Sequence, residues 1–181
     1  MIGFDIYQSP LTQFVADGHN IPLADQSVDA VLTQFVLEHV LDPWQVVMEM
    51  HRVLKPNGLV YAEVPFLQQV HEGPYDFTRF TQCGLRWLFR RFTLIDSDIE
   101  RGVGTQLMWT IDHVTRGLFR SKRVGQLAKA LCSWVRCLDK IVGHRFSSAS
   151  ASGFYFLGRR AEQEITPRAV VEFYQGAQRP A

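Results

Sequence analysis

One run of three consecutive segments constrains this chain more than anything else: "SVDAVLTQFVL", then "LDPWQVVMEMHRVLKPNG", then "LVYAEVPF". The first reads as a strand around Val28–Thr33, rich in β-branched residues that suit a pleated, half-buried surface. In the second, Asp42 is a good helix N-cap, Pro43 fits the first helical position and Gln45 completes a capping-box pattern. Val46, Val47, Met50, Val53 and Leu54 then fall on one face at helical spacing. Arg52 and Lys55 lie near the negative end of the helix, and Pro56-Asn57-Gly58 stops it and turns the chain. The third segment is a strand ended by Pro65. Strand, helix, strand in that order argues for a crossover between parallel strands, and so for an α/β fold.

The flanking segments extend this pattern. "MIGFDI" and "FVADG" (Phe14–Gly18) read as short strands, and Tyr7–Gln13 between them is too short for a helix of normal length. Beyond Pro65, "LQQVHEGPYDFTRFT" is polar and turn-rich. "TQCGLRWLFRRF" reads as a helix with Thr81 as its cap, and "TLIDSDIER" as a strand. Residues from about Thr105 to Arg145 are mostly helical, with a break near Arg120–Val124. Ser147–Gly153, "SSASASG", reads as a flexible connector, and "FYFLGRR" as a last strand. With 181 residues, the chain accommodates one domain with a real core. The expected organisation is an α/β domain over 1–160, a helical cap over about 105–146 and a partly ordered tail over 161–181.

Composition bounds the function. Formal net charge is +1, so no global field draws the chain to nucleic acid, and no nucleic-acid partner is expected. Three cysteines without a C-x-x-C pair argue against a disulfide framework or a zinc site and make a reducing cytoplasm the natural home. No stretch approaches ~18 uninterrupted apolar residues.

The stretch from Val15 to Phe66, "VADGHNIPLADQSVDAVLTQFVLEHVLDPWQVVMEMHRVLKPNGLVYAEVPF", resembles the class I S-adenosylmethionine-dependent methyltransferases of the type 11-like group. The likeness rests on the ordered succession D-x-x-x-L/I-P, S-F/V-D, L-E-H and R-V-L-K-P-x-G. It covers roughly residues 1–96 and the final strand at Phe154–Leu157. It implies a Rossmann-like, mostly parallel sheet with a helical cap insertion, and S-adenosylmethionine as cofactor. Methyl transfer is an in-line displacement at an activated sulfonium carbon, so the cofactor carries the hard chemistry. The protein must hold it, bring up a nucleophile and accept any proton released.

By this resemblance, Asp5 in "GFDI" is the acid that accepts hydrogen bonds from the ribose hydroxyls, with Ile6 beside it. Asp17 in "VADG" is the acid near the adenine amino group, with the backbone of Gly18 and His19 against the base. Gln34 and Phe35 follow the strand that ends against the cofactor. Asp29 reads as structural, and so does mid-helix His51. Glu38 and His39 recur in the family without a settled catalytic part. A structural histidine is the preferred reading of His39, and a substrate contact is the other.

"HEGPYDFTRFT" resembles an H-x-x-P-x-D-F-x-R-x-T pattern in a subset of the family, in the segment where substrate contacts usually fall. His71 is the candidate general base, since imidazole ordinarily titrates near neutrality. Asp76 and Arg79, three apart, suit an ion pair. A substrate site and a structural loop clamp fit equally well. No histidine pair has metal-motif spacing, so no metal is expected.

The glycine-rich loop of such folds lies about 20 residues before the acid at the end of the second strand. Asp5 has four residues before it. The first strand, its glycine turn and the first helix are therefore expected to be missing from this sequence, unless the first visible strand slides into the vacant slot. The leading expectation is methyl transfer to a small-molecule or cell-surface-precursor acceptor. The alternative is a non-catalytic remnant acting as a binding or scaffolding module. Residues 116–145 carry eight basic residues against Asp139 alone, with an apolar stripe of Leu127, Leu131, Trp134, Val135, Leu138 and Ile141. A cap helix packed over the sheet, or a homodimer contact, is preferred to contact with an anionic membrane surface. The same basic helices prompt glycan or lipid-linked precursors as an acceptor class.

Overall fold

A computed structural model describes residues 2–179; Met1, where the expected first strand begins, and residues 180–181 of the tail lie outside them. The strands are β1 (Phe4–Asp5), β2 (Phe14–Val15), β3 (Val28–Gln34), β4 (Leu54–Pro65), β5 (Phe92–Arg101) and β6 (Gly153–Arg160). The helices are α1 (Pro43–Val53), α2 (Gln82–Leu88), α3 (Val103–Phe119), α4 (Lys122–Leu131), α5 (Leu138–Ile141), α6 (His144–Ser147) and α7 (Pro167–Phe173).

The larger sheet has the order β3-β4-β6-β5. β3 and β4 are parallel, and β6 runs antiparallel to both β4 and β5. Three strands thus point one way and the last opposes them. β1 and β2 form a separate parallel pair. β1 therefore does not enter the larger sheet, where β4 is the one strand partner of β3 among the described residues.

The β3–α1–β4 unit forms as its residues dictate. Asp42 Oδ1 accepts the Gln45 N–H at 3.0 Å, and Val46, Val47, Met50 and Val53 bury against Val60, Ala62 and Val64 of the sheet. The capping box, however, is not reciprocal. Gln45 Nε2 donates to the His19 carbonyl, and the Asp42 N–H is taken by His19 Nε2. The helix also stops at Val53, earlier than the run through Lys55 suggests. Leu54 already pairs with Val28, and the turn at 55–58 becomes an irregularity within β4, with Asn57 at φ 64°. Pro56 disfavours helical backbone at Lys55, and Asn tolerates the left-handed region. Behind the sheet, Phe89, Phe92, Phe154 and Phe156 are all but completely buried. Phe89 stacks on Phe156 with ring centroids 4.7 Å apart.

Two expectations change. Ser147–Gly153 is not a loose connector: Ser147, Ser148, Ala151 and Ser152 are buried. The Ser152 N–H donates to the Arg101 carbonyl, and its own carbonyl accepts from Phe66 N–H. Small side chains are needed because the chain runs close to β4, where a Cβ on Gly153 would lie 2.6 Å from the Val64 oxygen. The tail carries α7, capped by Thr166, and Val170 of that helix buries beside α2. Finally, the apolar stripe of the basic region does not fold down on the sheet. Val135 is buried, but Leu127, Leu131, Trp134 and Ile141 remain at least 60% exposed. α4 packs on α3 instead. The expected break falls at left-handed Arg120, and Ser121 caps α4. Asp139 has a local duty: its carboxylate accepts the Gly104 and Thr105 N–H groups at the start of α3.

Candidate functional site

In open parallel sheets, ligands bind outside the carboxyl ends of the strands. Those ends are Asp5 for β1, Val15 for β2, Gln34 for β3 and Pro65 for β4. Asp5 and Ile6 are both exposed. Asp5 Oδ1 accepts the Tyr7 N–H at 3.1 Å, in a short turn that orients the carboxylate.

The turn after β2 is built more firmly. Asp17 Oδ1 accepts from His19 N–H at 2.9 Å and lies 2.6 Å from His19 Nδ1. On the other side of that ring, Nε2 accepts the Asp42 N–H at 3.2 Å. These partners place the imidazole proton on Nδ1. The His19 backbone N–H, and then its ring, hold the Asp17 carboxyl below the usual carboxylate range. Gly18 sits against α1: a Cβ there would come within 3.3 Å of Val46 Cγ1. The Asp17–His19 turn is thereby docked on the first turn of α1, which follows the loop leaving β3.

That loop starts from strained backbone. Phe35 has φ 52°, a left-handed conformation unusual for an aromatic residue. Its N–H donates to the Glu63 carbonyl at 3.0 Å. Gln34 turns sideways to β4, donating to Glu63 Oε2 at 3.0 Å, while Tyr61 O–H donates to Glu63 Oε1. Burial, reinforced by Glu63, pushes the Tyr61 phenol well up from its ordinary value.

The second wall is the segment after β4. Arg79 grips both oxygens of Asp76, and Asp76 Oδ2 also accepts His71 N–H at 3.0 Å. Arg79 Nε donates to the Gln68 carbonyl at 3.0 Å. The Asp76 side chain is fully buried, and Arg79 holds its carboxyl down to about 2. These contacts brace the loop and engage both Asp76 oxygens.

Glu38, His39 and His71 meet beside this clamp. His39 Nε2 and His71 Nε2 are 3.1 Å apart. Glu38 Oε1 lies 3.7 Å from the first and 3.8 Å from the second. The Glu38 side chain is fully buried, and burial raises its carboxyl above the ordinary value. The Glu38 carbonyl accepts Phe77 N–H at 2.8 Å, so the two loops lock together across the site.

Sequence spacing could not reveal this group, because 32 residues separate His39 from His71. Its local signs are the L-E-H succession and the pattern around His71, each confined to its own segment. A cleft of about 290 Å³ borders His71, walled by Gln69, Trp109, Asp112, His113, Arg116 and Lys129. These wall residues carried no motif to mark them. A larger depression of about 640 Å³ lies on the outer side of α1, around Trp44, Met48 and Arg52, away from the strand ends. Exposed Asp29 pairs with Lys55, and buried His51 reaches the Ala161 carbonyl.

This fold is that of the class I methyltransferases. A structure described as an S-adenosylmethionine-dependent methyltransferase from Archaeoglobus fulgidus superposes with TM-score 0.55, covering 88% of this chain and 75% of that one at 11% identity. Another from Methanosarcina mazei gives 0.51, with 90% and 82% covered at 13% identity. A Burkholderia thailandensis 1,6-didemethyltoxoflavin-N1-methyltransferase, solved with bound 1,6-didemethyltoxoflavin and S-adenosylhomocysteine, also gives 0.51, with 88% and 60% covered at 14% identity.

Sequence narrows the class. Residues 5–62 match the family described as "Methyltransferase domain". An uncharacterized methyltransferase of Mycobacterium bovis is 58% identical over 45 residues, which are 25% of this chain and 18% of that protein. One from Mycobacteroides abscessus is 49% identical over 53 residues, 29% and 20% respectively. The match thus spans about a fifth of those relatives' length. The 5–62 segment is thus similar to a methyltransferase domain, and the fold resembles that of the S-adenosylmethionine-dependent methyltransferases above.

Proposed function

We propose that this protein binds S-adenosylmethionine along the ends of β1–β3 and directs its methyl group to a small-molecule acceptor held near His71. The carrying observation is that Asp5 and Asp17 stand at the ends of adjacent parallel strands. The Asp17 turn is fastened to the loop bearing Glu38 and His39. The fit can be tested against the residues present. The outward Asp5 carboxylate suits a ribose diol, and Asp17, with one oxygen on His19, keeps the other for an amino group. Gly18 and His19 offer flat backbone for the base, and Phe35 lines the approach. This fit covers the nucleoside half of the cofactor.

When bound, the cofactor supplies a sulfonium methyl group activated for displacement. The chain's own part is to position and to manage protons. Asp5 and Asp17 orient the nucleoside. Asp76 and Arg79 fix the loop that carries His71. The His39–His71 pair stands where an acceptor hydroxyl or amine can shed its proton as its bond to the methyl carbon forms. His113 and Lys129 on the cleft wall suit an acceptor bearing negative charge.

A second reading is a methyltransferase-like binding module without catalysis. The observation in its favour is that β1–β2 stand apart from the sheet whose β3 edge they would be expected to extend. Calorimetric titration of the purified chain with S-adenosylhomocysteine separates the two. Micromolar binding that weakens roughly 10- to 100-fold in Asp5→Ala and Asp17→Ala, the loss expected for charged hydrogen bonds, supports the first reading. A folded chain that shows no binding supports the second.

A further inference from the structure

The hydrogen bonds around the two histidines assign their protons. His39 Nδ1 lies 2.8 Å from the Tyr75 carbonyl, which can only accept, so the proton is on Nδ1 and the lone pair on Nε2. His71 Nδ1 faces the Gln69 carbonyl at 3.4 Å and Asp76 Oδ2 at 3.5 Å, again acceptors. Its lone pair is therefore on Nε2 as well. Two Nε2 lone pairs 3.1 Å apart repel each other unless they share a cation. Glu38 supplies an independent sign. Its side chain is fully buried, neither carboxylate oxygen has a hydrogen-bond partner, and Oε1 is directed at both rings.

We propose that Glu38, His39 and His71 form a binding site for a divalent transition-metal ion of the zinc class. An ion about 2.0–2.1 Å from each nitrogen and 2.0–2.2 Å from the oxygen is compatible with all three separations. The ligand atoms lie within 4.8 Å of one another. Two imidazoles and one carboxylate suit zinc, cobalt or iron better than magnesium or calcium, which prefer all-oxygen shells. The outer partners are those of a metal site: the Tyr75 carbonyl fixes the His39 ring, and Gln69 and Asp76 fix His71. Three protein ligands leave coordination open for a further ligand, and His71 among them also lines the 290 Å³ cleft. If the methyl-transfer reading also holds, on which this last step rests, an acceptor oxygen or nitrogen bound there sheds its proton more readily. His71 is then a ligand rather than the general base.

The competing occupant is a proton shared by the two rings, and metal binding distinguishes them. The whole chain is stripped with chelator, then titrated with Zn²⁺ by calorimetry and with Co²⁺ by visible absorption, without nucleotide. The expected result is about one ion per chain, with the ligand-field bands of a four- or five-coordinate Co²⁺ site. Affinity is expected to fall roughly 100-fold or more in His71→Ala. This ring is a third exposed, and circular dichroism checks that the variant remains folded. Glu38→Gln is expected to weaken binding likewise, whereas His144→Ala, in α6 and paired with Asp98, leaves it unchanged. Substoichiometric uptake overturns the proposal. So does uptake that folded His71→Ala retains, and so do imidazole ¹⁵N shifts that show a protonated pair unaffected by Zn²⁺. Because the readout contains no nucleotide, failure here leaves S-adenosylhomocysteine binding untouched, and failure of nucleotide binding leaves this site untouched.

Discussion

The two walls of the candidate site are built by different physics. The acceptor wall is buried and over-determined: Glu38 and Asp76 have fully buried side chains, and Arg79, Tyr75 and Gln68 hold the loop around them. The nucleoside wall stands on strands of two residues each, with Ile6, Tyr7 and Val15 more than half exposed. Preorganised charge is thus concentrated where chemistry would happen. The nucleoside side relies on one docked turn, Asp17–His19, and on the ion pairs that fasten residues 21–25 to α1. These walls therefore need not melt together, and each of the following changes attacks one of them.

The largest effect is expected from the core behind the acceptor wall. Phe156→Ala removes a fully buried ring stacked on Phe89 and should cost about 3–5 kcal/mol. Phe14→Ala in β2 removes a half-buried ring stacked on Phe4 and should cost less than about 2 kcal/mol. Urea unfolding of both variants checks the contrast; equal losses would show that the two walls share one cooperative core.

Next comes the clamp itself. Arg79→Met strands the buried Asp76 carboxylate and should cost about 3 kcal/mol. Adding Asp76→Asn to that variant should recover part of the loss, because the orphaned charge is removed. Thermal melts of the two variants test this. A double variant less stable than Arg79→Met alone would mean that Asp76 matters through His71 N–H rather than through its pairing with Arg79.

These contrasts also show what the sequence could and could not reveal. α1 was legible because its cap, proline and apolar spacing are all local, and the Asp76–Arg79 pair because i and i+3 are neighbours on any tight loop. The cluster of Glu38, His39 and His71 was not, since it exists only once two loops separated by β4 are locked by Phe77 N–H on the Glu38 carbonyl. "SSASASG" misled for a related reason: small polar residues mark flexible linkers in general, but here they permit close packing under β4 and β5. The basic region folds as a broken helix whose apolar stripe stays exposed rather than covering the sheet. Amphipathic spacing identifies a face, not what that face meets.

The seam between the walls has its own signature in pH. Glu49 accepts from Arg52 Nε and Nη2 at 2.8 and 2.7 Å and from Ile21 N–H at 2.9 Å. Arg52 also donates to the Ile21 and Leu23 carbonyls and to Asp25. The Arg52 guanidinium, foremost, holds the Glu49 carboxyl below its ordinary 4.5. A depressed carboxylate favours the folded state above the unfolded-state pKa, and that stability is lost as pH falls through the folded value. Acidification below 4.5 should therefore loosen the nucleoside wall first, seen as faster amide exchange over residues 3–16 than over β4 and β6. Glu49→Gln should show that loosening already at neutral pH, with less further change on acidification. Uniform exchange across both regions would dissolve the distinction between the walls.

The smallest effect should be the most discriminating. Asp42 touches both walls by different atoms: its side chain caps α1 through Gln45 N–H, while its backbone N–H holds His19. Asp42→Ala deletes the cap and should cost about 1 kcal/mol. The backbone donor survives, so the Asp17–His19 turn keeps its seat, and S-adenosylhomocysteine affinity should change by less than about twofold, well under 1 kcal/mol. His19→Ala has the opposite profile, because it leaves the helix capped but removes the ring that joins Asp17 to α1. If Asp42→Ala weakens nucleotide binding as much as His19→Ala does, the nucleoside wall depends on the integrity of α1 as a whole rather than on the one turn docked against it.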